Sequence, residues 1–236
     1  MAGAIRTALL FGAAGAIGQR IAAALGDDGW HVVGSGRGRG DDPAREWVAF
    51  DPFAAGADPA AFDRAGPFHA VCWAQGANRN DSIFDVDAEA HLELYRANCL
   101  FNVVTLRLLL ERELIAAGAR LVVISSIWQN LARQRKLSYT VSKAALAGFV
   151  RSAAVDLAER GIVINAILPG VLDTPMTRRT LTPQQVEKFE RATGFARLPA
   201  VADVAALAVF LASDRNGGLT GQFLEADLGF SHARLV

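Results

Sequence analysis

The segment SYTVSK places Tyr139 and Lys143 four residues apart at the start of a helical stretch, so both lie on one helical face. A phenol beside an ammonium is a proton-transfer device. Unperturbed tyrosine titrates at about 10, and a neighbouring positive charge favours the phenolate, moving the group toward a value useful near neutrality. The spacing alone also fits a core tyrosine with a surface lysine, so its weight comes from the strand before it, VVISSIWQN. Ser125 and Ser126 end that strand at the edge where ligands bind in open α/β sheets, and a hydroxyl there can hold a reacting oxygen. Either serine singly also fits a side chain that closes the strand on its own backbone.

A second group of residues points to phosphate. In LLFGAAGAIGQR, Gly12, Gly15 and Gly18 follow the first apolar run and open the first helix. Glycines so placed admit a pyrophosphate to backbone amides, here those of Gly12 and of Gly15 through Ala16 and Ile17 to Gly18, at the helix's positive end. Close packing of helix on strand is the plainer alternative. An export signal competes for the same run, since Met1 and Arg6 precede it. Against that, Ile17, Ile21, Ala24 and Leu25 continue at helical spacing with Gln19 and Arg20 between them, which describes a helix inside a domain. At the end of the second strand, VVGSGRGRG has Gly36 where NAD sites usually place an acid for the ribose hydroxyls. Arg37 follows at once and supplies a bidentate cation for a 2′-phosphate, so NADP is expected in preference to NAD, with Arg39 able to share the role.

These residues need elements to hold them. Apolar runs and helical periodicity alternate: strand 5–11, helix 16–26, strands 30–35, 47–50 and 69–73, helix 87–116, strand 120–125, helix 138–160 and strand 162–168. Helices near 182–193 and 201–213 follow, then a last strand near 221–226. Continuous apolar strands such as RLVVISS and IVINAIL belong in a parallel sheet covered on both faces. The expected fold class is therefore α/β, a single doubly wound parallel sheet with helices on both faces. No polar linker or repeat divides residues 1–236, so one domain is expected. Thr182-Pro183-Gln184-Gln185 reads as a capped helix start. It lies in an excursion, residues 171–196, that follows a strand's carboxyl end and can form a lid.

The 236 residues are 52% hydrophobic, enough for a sizeable core. Lysine plus arginine and aspartate plus glutamate number 24 each, so no net field gathers nucleic acid or an anionic membrane surface. The most apolar segment, 98–110, is interrupted by Arg107, and a cytoplasmic protein is expected. Cys72 and Cys99 lack metal-ligand spacing and are expected as buried free thiols, with no metal.

Taken together, Ser126, Tyr139, Lys143 and the glycine loop resemble a short-chain dehydrogenase/reductase over nearly the whole chain, most of all the short, 3-oxoacyl-carrier-protein-reductase-like form. The resemblance selects Ser126, thirteen residues before the tyrosine, and implies a Rossmann fold. It adds Asn98 as the residue that helps hold a relay water, Gly76 from the strand-four motif, and Asp51 as an acid for the adenine amino group. It also places Pro169, Gly170, Leu172 and Thr174 beside the nicotinamide. The implied activity is NADP(H)-dependent interconversion of a carbonyl and a secondary alcohol on a small, partly apolar substrate, in a homodimer or homotetramer. Two alternatives keep the fold: a catalytically weak NADP-binding sensor or scaffold, and an extended-type epimerase or lyase.

The departures from that family's pattern are specific. Phe11 stands for the usual threonine of TGxxxGxG, and Ala16 for the middle glycine. The strand-four motif, usually NNAG, reads Trp73-Ala74-Gln75-Gly76, and Pro52 after Asp51 has no amide hydrogen for the adenine. For substrate, Trp128, Leu131, Phe195 and the lid offer an apolar wall. Arg133, Arg135 and Lys136 form a basic cluster that fits either an anionic substrate tail or a solvated loop. The helix after Asn98 is apolar on more than one face, and a partner subunit's helix is expected to cover what the sheet does not.

Overall fold

Alternate residues along the central strands face different cores, which is why these strands are apolar throughout. In β1 (Thr7–Phe11), Leu9 and Phe11 enter one hydrophobic cluster while Ala8 and Leu10 enter the other. In β5 (Ile115–Ile124), Leu121 and Val123 face the first cluster, and Val122 and Ile124 the second. A strand buried on both faces has no solvent side to carry polar residues.

The chain is described by a computed structural model over residues 5–38 and 46–232. Besides β1 and β5 it contains β2 (His31–Gly36), β3 (Glu46–Ala49), β4 (Phe68–Trp73), β6 (Val163–Pro169) and β7 (Phe223–Ala226). All seven are parallel, in the order β3-β2-β1-β4-β5-β6-β7. The order reverses beside β1, so the cleft between the β1 and β4 ends is the topological switch point where ligands bind in such sheets. On one face lie α1 (Ala16–Asp27) and α7 (Val201–Ala212), which pack together. On the other lie α2 (Ala88–Tyr95), α3 (Phe101–Glu111) and α4 (Leu137–Asp156), with Leu106, Leu109, Leu146 and Val150 turned into the core.

Two helical elements differ from expectation. The helix expected over 87–116 is broken by a π turn at Arg96–Leu100 and ends at Glu111, where Glu113 takes a positive φ of 56° and the chain turns into β5. Leu114 and Ile115 continue the apolar pattern but belong to the turn and the strand. The short helix α5 (Pro175–Thr180) was not expected, and it precedes α6 (Pro183–Ala192), which carries the expected capping box between Thr182 and Gln185. On α2 and α3 the apolar side chains left most open are Leu92 and Val103, at 57% and 40% exposure.

Two of the family departures meet in the core. Phe11 and Trp73 are register partners on β1 and β4, both fully buried, with rings stacked at 6.0 Å and 20°. Phe101 and Phe62 meet Phe11 edge-on at 5.3 and 5.9 Å. The Trp73 indole N–H, a donor that burial would otherwise leave unmet, bonds Thr105 Oγ1 at 2.8 Å. An aromatic stack therefore joins the two strands that flank the switch point, at the positions where the family pattern places threonine and asparagine. Phe11→Ala and Trp73→Ala should each cost about 3–5 kcal/mol in urea unfolding. The double variant should fall short of their sum by about 0.5–3 kcal/mol, and strict additivity would contradict the coupling.

Candidate active site

The glycine loop fits a phosphate on stereochemical grounds. Gly12 has φ +74°, and a Cβ there would lie 2.5 Å from the Gln75 amide nitrogen. A Cβ on Gly18 would lie 2.2 Å from the Gly12 carbonyl oxygen, so the loop folds back directly onto the helix. Gly15 N-caps α1 without any side chain to meet the first-turn amides, and no acidic residue stands in that turn. The N–H groups of Ala16, Ile17 and Gly18 thus face an anion's place with the helix dipole behind them.

Along the cleft toward β2, a side chain on Gly36 would come into contact with the Trp47 ring at 3.5 Å, and Arg37 follows, exposed at the strand's end. Arg39 lies outside the described residues. Asp51 accepts from the Phe53 amide at 3.0 Å, which fixes the turn at Pro52 and occupies one carboxylate oxygen.

The catalytic candidates come from four elements. Ser125 and Ser126 follow β5, and the structure separates their duties. Ser125 donates to Gln129 Oε1 at 2.8 Å, a local tie, whereas the Ser126 hydroxyl accepts from Trp128 N at 3.3 Å and stands near enough to the Tyr139 phenol to oppose its upward shift. Ser126 also caps the short 3₁₀ turn at Ile127–Gln129. Tyr139 and Lys143 lie one turn apart on α4, with Lys143 Nζ 5.8 Å from the tyrosine ring centroid. Lys143 is buried and donates to the Ile124 carbonyl at 3.1 Å, the end of β5. Gly76 completes the group: a Cβ there would come within 3.1 Å of Asn98 Oδ1 and 3.7 Å of Lys143 Nζ.

Asn98 sits in the π turn, an irregularity that recurs at functional sites. Its Oδ1 accepts from Ala77 N at 2.7 Å, and its Nδ2 donates to Ala77 O at 3.0 Å and Ser142 Oγ at 2.9 Å. It therefore fixes the strand-four loop against α4. Ser142, inside the SYTVSK motif but not singled out by sequence reasoning, passes this bond on to the Tyr139 carbonyl at 2.8 Å.

Electrostatics correct one expectation. The Tyr139 phenol is pushed above its ordinary value, because burial outweighs the opposing hydrogen bond from Ser126. The expected lowering by Lys143 is not what the geometry gives. The Lys143 ammonium is itself pushed down to about 8 by burial, with Cys99 opposing weakly.

After β6, Pro169 ends the strand and Leu172 is buried. Gly170 is required by packing: a Cβ would lie 2.9 Å from the Asp227 Cβ. Thr174 caps α5 by accepting from Thr177 N at 3.1 Å. Within the expected lid, Arg178 bonds Asp173 at 2.8 Å and Glu190 at 3.4 Å, tying α5 to α6. The apolar wall is Trp128, Phe189 and Phe230, with Phe230 at 6.3 Å from Trp128 and 5.8 Å from Phe189. Phe195 is 64% exposed and stands outside it. Phe189 was legible as the apolar partner of buried Val186, three residues earlier on α6.

The sequence profile described as Enoyl-(Acyl carrier protein) reductase matches residues 58–231. The chain belongs to the short-chain dehydrogenase/reductase family. It is similar to the acetoacetyl-CoA reductase of Allochromatium vinosum, 28% identical over 96% of this chain and 99% of that one. It also resembles the L-rhamnose 1-dehydrogenase (NADP(+)) of Thermoplasma acidophilum, 25% identical over 95% of each chain. A short chain dehydrogenase family protein from Francisella tularensis superposes with a TM-score of 0.87 over 98% of this chain and 100% of that one at 22% identity, which is a likeness of fold. The family comprises oxidoreductases on a Rossmann-type sheet, and this chain is one of them.

The glycine geometry makes a graded prediction. Gly12→Ala and Gly18→Ala should abolish NADPH binding in a fluorescence titration and lower the melting temperature. Gly15→Ala, whose Cβ would lie 3.4 Å from the nearest atom, should keep the fold and lose far less affinity. NADPH binding by Gly18→Ala at the parent's affinity would contradict the cradle.

Proposed function

We propose that the protein is an NADP(H)-dependent oxidoreductase that interconverts a carbonyl and a secondary alcohol on a small, partly apolar substrate. The observation that carries this reading is the convergence of Ser126, Tyr139 and Lys143 at the carboxyl edge of the sheet, beside a helix start with unmet amides. NADP is favoured over NAD by Gly36 and Arg37 at the end of β2, and one relative is named for NADP(+). Bound NADPH supplies the hydride.

The residues divide the remaining work. Ala16, Ile17 and Gly18 hold the pyrophosphate, and Arg37 holds the 2′-phosphate. Lys143 has three N–H donors, of which Ile124 takes one, leaving two for the nicotinamide ribose. Ser126 donates to the substrate carbonyl oxygen, and Tyr139 transfers its phenolic proton to that oxygen as the alcohol forms. A phenol held above its ordinary value keeps its proton at neutral pH, which suits the acid's role in reduction. Asn98 holds Ala77 and Ser142 and, on this reading, organises the relay water behind Lys143. Leu92 and Val103 mark the face of α2 and α3 through which we expect a homodimer or homotetramer, to be read by light scattering, with a monomer at micromolar concentration as the contrary result.

Tyr139→Phe should remove carbonyl reduction while NADPH binding stays within about twofold, since only the phenolic oxygen is lost; undiminished turnover would refute the assignment. The pH profile has a fixed sign. Lys143, depressed to about 8, loses its charge as pH rises through that value, whereas Tyr139 keeps its proton beyond its ordinary range. The kcat/KM for a neutral ketone should therefore fall above pH ~8. The same limb should persist in Lys136→Met, which removes the other lysine depressed to about 8. A profile flat to pH ~10 would contradict the lysine's role.

A further inference from the structure

The sequence ARQRKLSY sets three cations between the active-site serine and tyrosine, and the structure gives them different places. Arg135 takes a positive φ of 58°, stands exposed and pairs with Asp85 at 3.1 Å. It is accounted for on the outside. Arg133 and Lys136 turn the other way. The Arg133 guanidinium lies between two aromatic rings, 5.6 Å from the Trp128 centroid and 5.7 Å from that of Phe189 on α6. Its Nε is buried without a hydrogen-bond partner, and among the described residues it makes no ion pair. Lys136 is 6% exposed, its Nζ 5.5 Å from the Tyr139 ring centroid. It donates to Asn78 Oδ1 at 2.6 Å and to the Arg79 carbonyl at 3.4 Å, which leaves one of its three hydrogens.

Each cation is thus partly desolvated, Arg133 against Trp128 and Phe189 and Lys136 over Tyr139, with no ion pair among the described residues, an arrangement that costs free energy unless an anion completes it. The acid whose charge acts on Lys136 is Asp81, which is buried and already engaged. It accepts from the Ser138 amide at 2.9 Å and from the Ser138 hydroxyl, with Arg79 at 3.9 Å. Burial and the Arg133 charge push Lys136 down to about 8 against the pull of Asp81, so the two cations feel each other. A guanidinium clasped by ring faces keeps its N–H edge for planar, bidentate partners such as carboxylate or phosphate. The place is specific as well. Lys136 sits over the proton-donating ring, and Trp128, two residues after Ser126, stacks on Arg133 beneath the lid helix.

We propose that Arg133 and Lys136 receive the anionic end of the substrate, so that the carbonyl compounds this enzyme takes carry a carboxylate or a phosphate. This rests on the carbonyl-reductase reading above and adds its substrate class. Phe189 makes the lid part of the subsite, since α6 is held to Arg133 by the same ring that roofs the anion.

The test compares matched pairs: a keto acid with its amide, and a keto phosphate with its dephosphorylated ketone. The ratio of kcat/KM, anionic over neutral, should exceed unity in at least one pair, which also tells carboxylate from phosphate. That ratio should fall by about 10- to 100-fold in Lys136→Met and in Arg133→Gln, mainly through KM, as expected for losing a hydrogen bond to a charged group. Lys136→Arg, which keeps the charge, should retain most of the preference. Where Arg133→Gln fails to fold, as its unfolding curve would show, the Lys136 pair decides. A readout without turnover is tryptophan-fluorescence quenching on titration with inorganic phosphate and with succinate, saturable in the parent and lost in Lys136→Met. Reduction of neutral ketones with no anion preference and no saturable quenching overturns the subsite while the carbonyl-reductase reading stands. Saturable quenching with no carbonyl of any kind reduced overturns the carbonyl-reductase reading instead.

Discussion

The buried ammonium of Lys143 is the constraint on which the site depends. An ammonium taken out of water needs acceptors around it, and here the main-chain carbonyl of Ile124, the last residue of β5, is one. That bond ties α4 to the strand end from which Ser125 and Ser126 continue, so the lysine's own solvation fixes how far the tyrosine stands from the serine. Gly76 gives the space, because a side chain there would press on Asn98 and approach Lys143. Asn98 then closes the arrangement by gripping both polar groups of Ala77 and the Ser142 hydroxyl. Strand ends, a π turn and one helix converge on a single charge.

The same economy of positions shows in the departures from the family pattern. Replacing a polar tie between β1 and β4 by Phe11 stacked on Trp73 keeps the two strands in register by packing. It leaves the glycine loop free to make its close approach at Gln75. Seen singly, either aromatic looks like damage to a cofactor motif. As a pair they are one substitution of interaction type, and Thr105 meets the polar atom that the indole brings with it.

Much of this was legible in the chain. Apolar runs bounded by turns give the strands of a doubly buried sheet to within about two residues, except that β5 begins at Ile115 and not at 120, and the serine, tyrosine, lysine and asparagine do come together. What sequence could not show follows from burial and tertiary contact. The break at Glu113 is a backbone sign change at a residue type that does not announce one. α5 is short and lacks apolar periodicity. The direction of the Tyr139 shift required knowing that the phenol is desolvated, which spacing to Lys143 does not reveal. The basic cluster is one feature in sequence, whereas in the fold Arg135 faces outward to Asp85 while its neighbours turn in.

The proposed function requires net hydride transfer from cofactor to a carbonyl carbon, with the proton from Tyr139. Reaction of NADPH deuterated at the transferable position with a ketone panel, followed by mass spectrometry of the products, tests it most directly. One deuterium should appear on the carbinol carbon for each NADPH consumed. Product formed with no net NADPH oxidation would contradict it and point to a cofactor-recycling epimerase or lyase on the same fold.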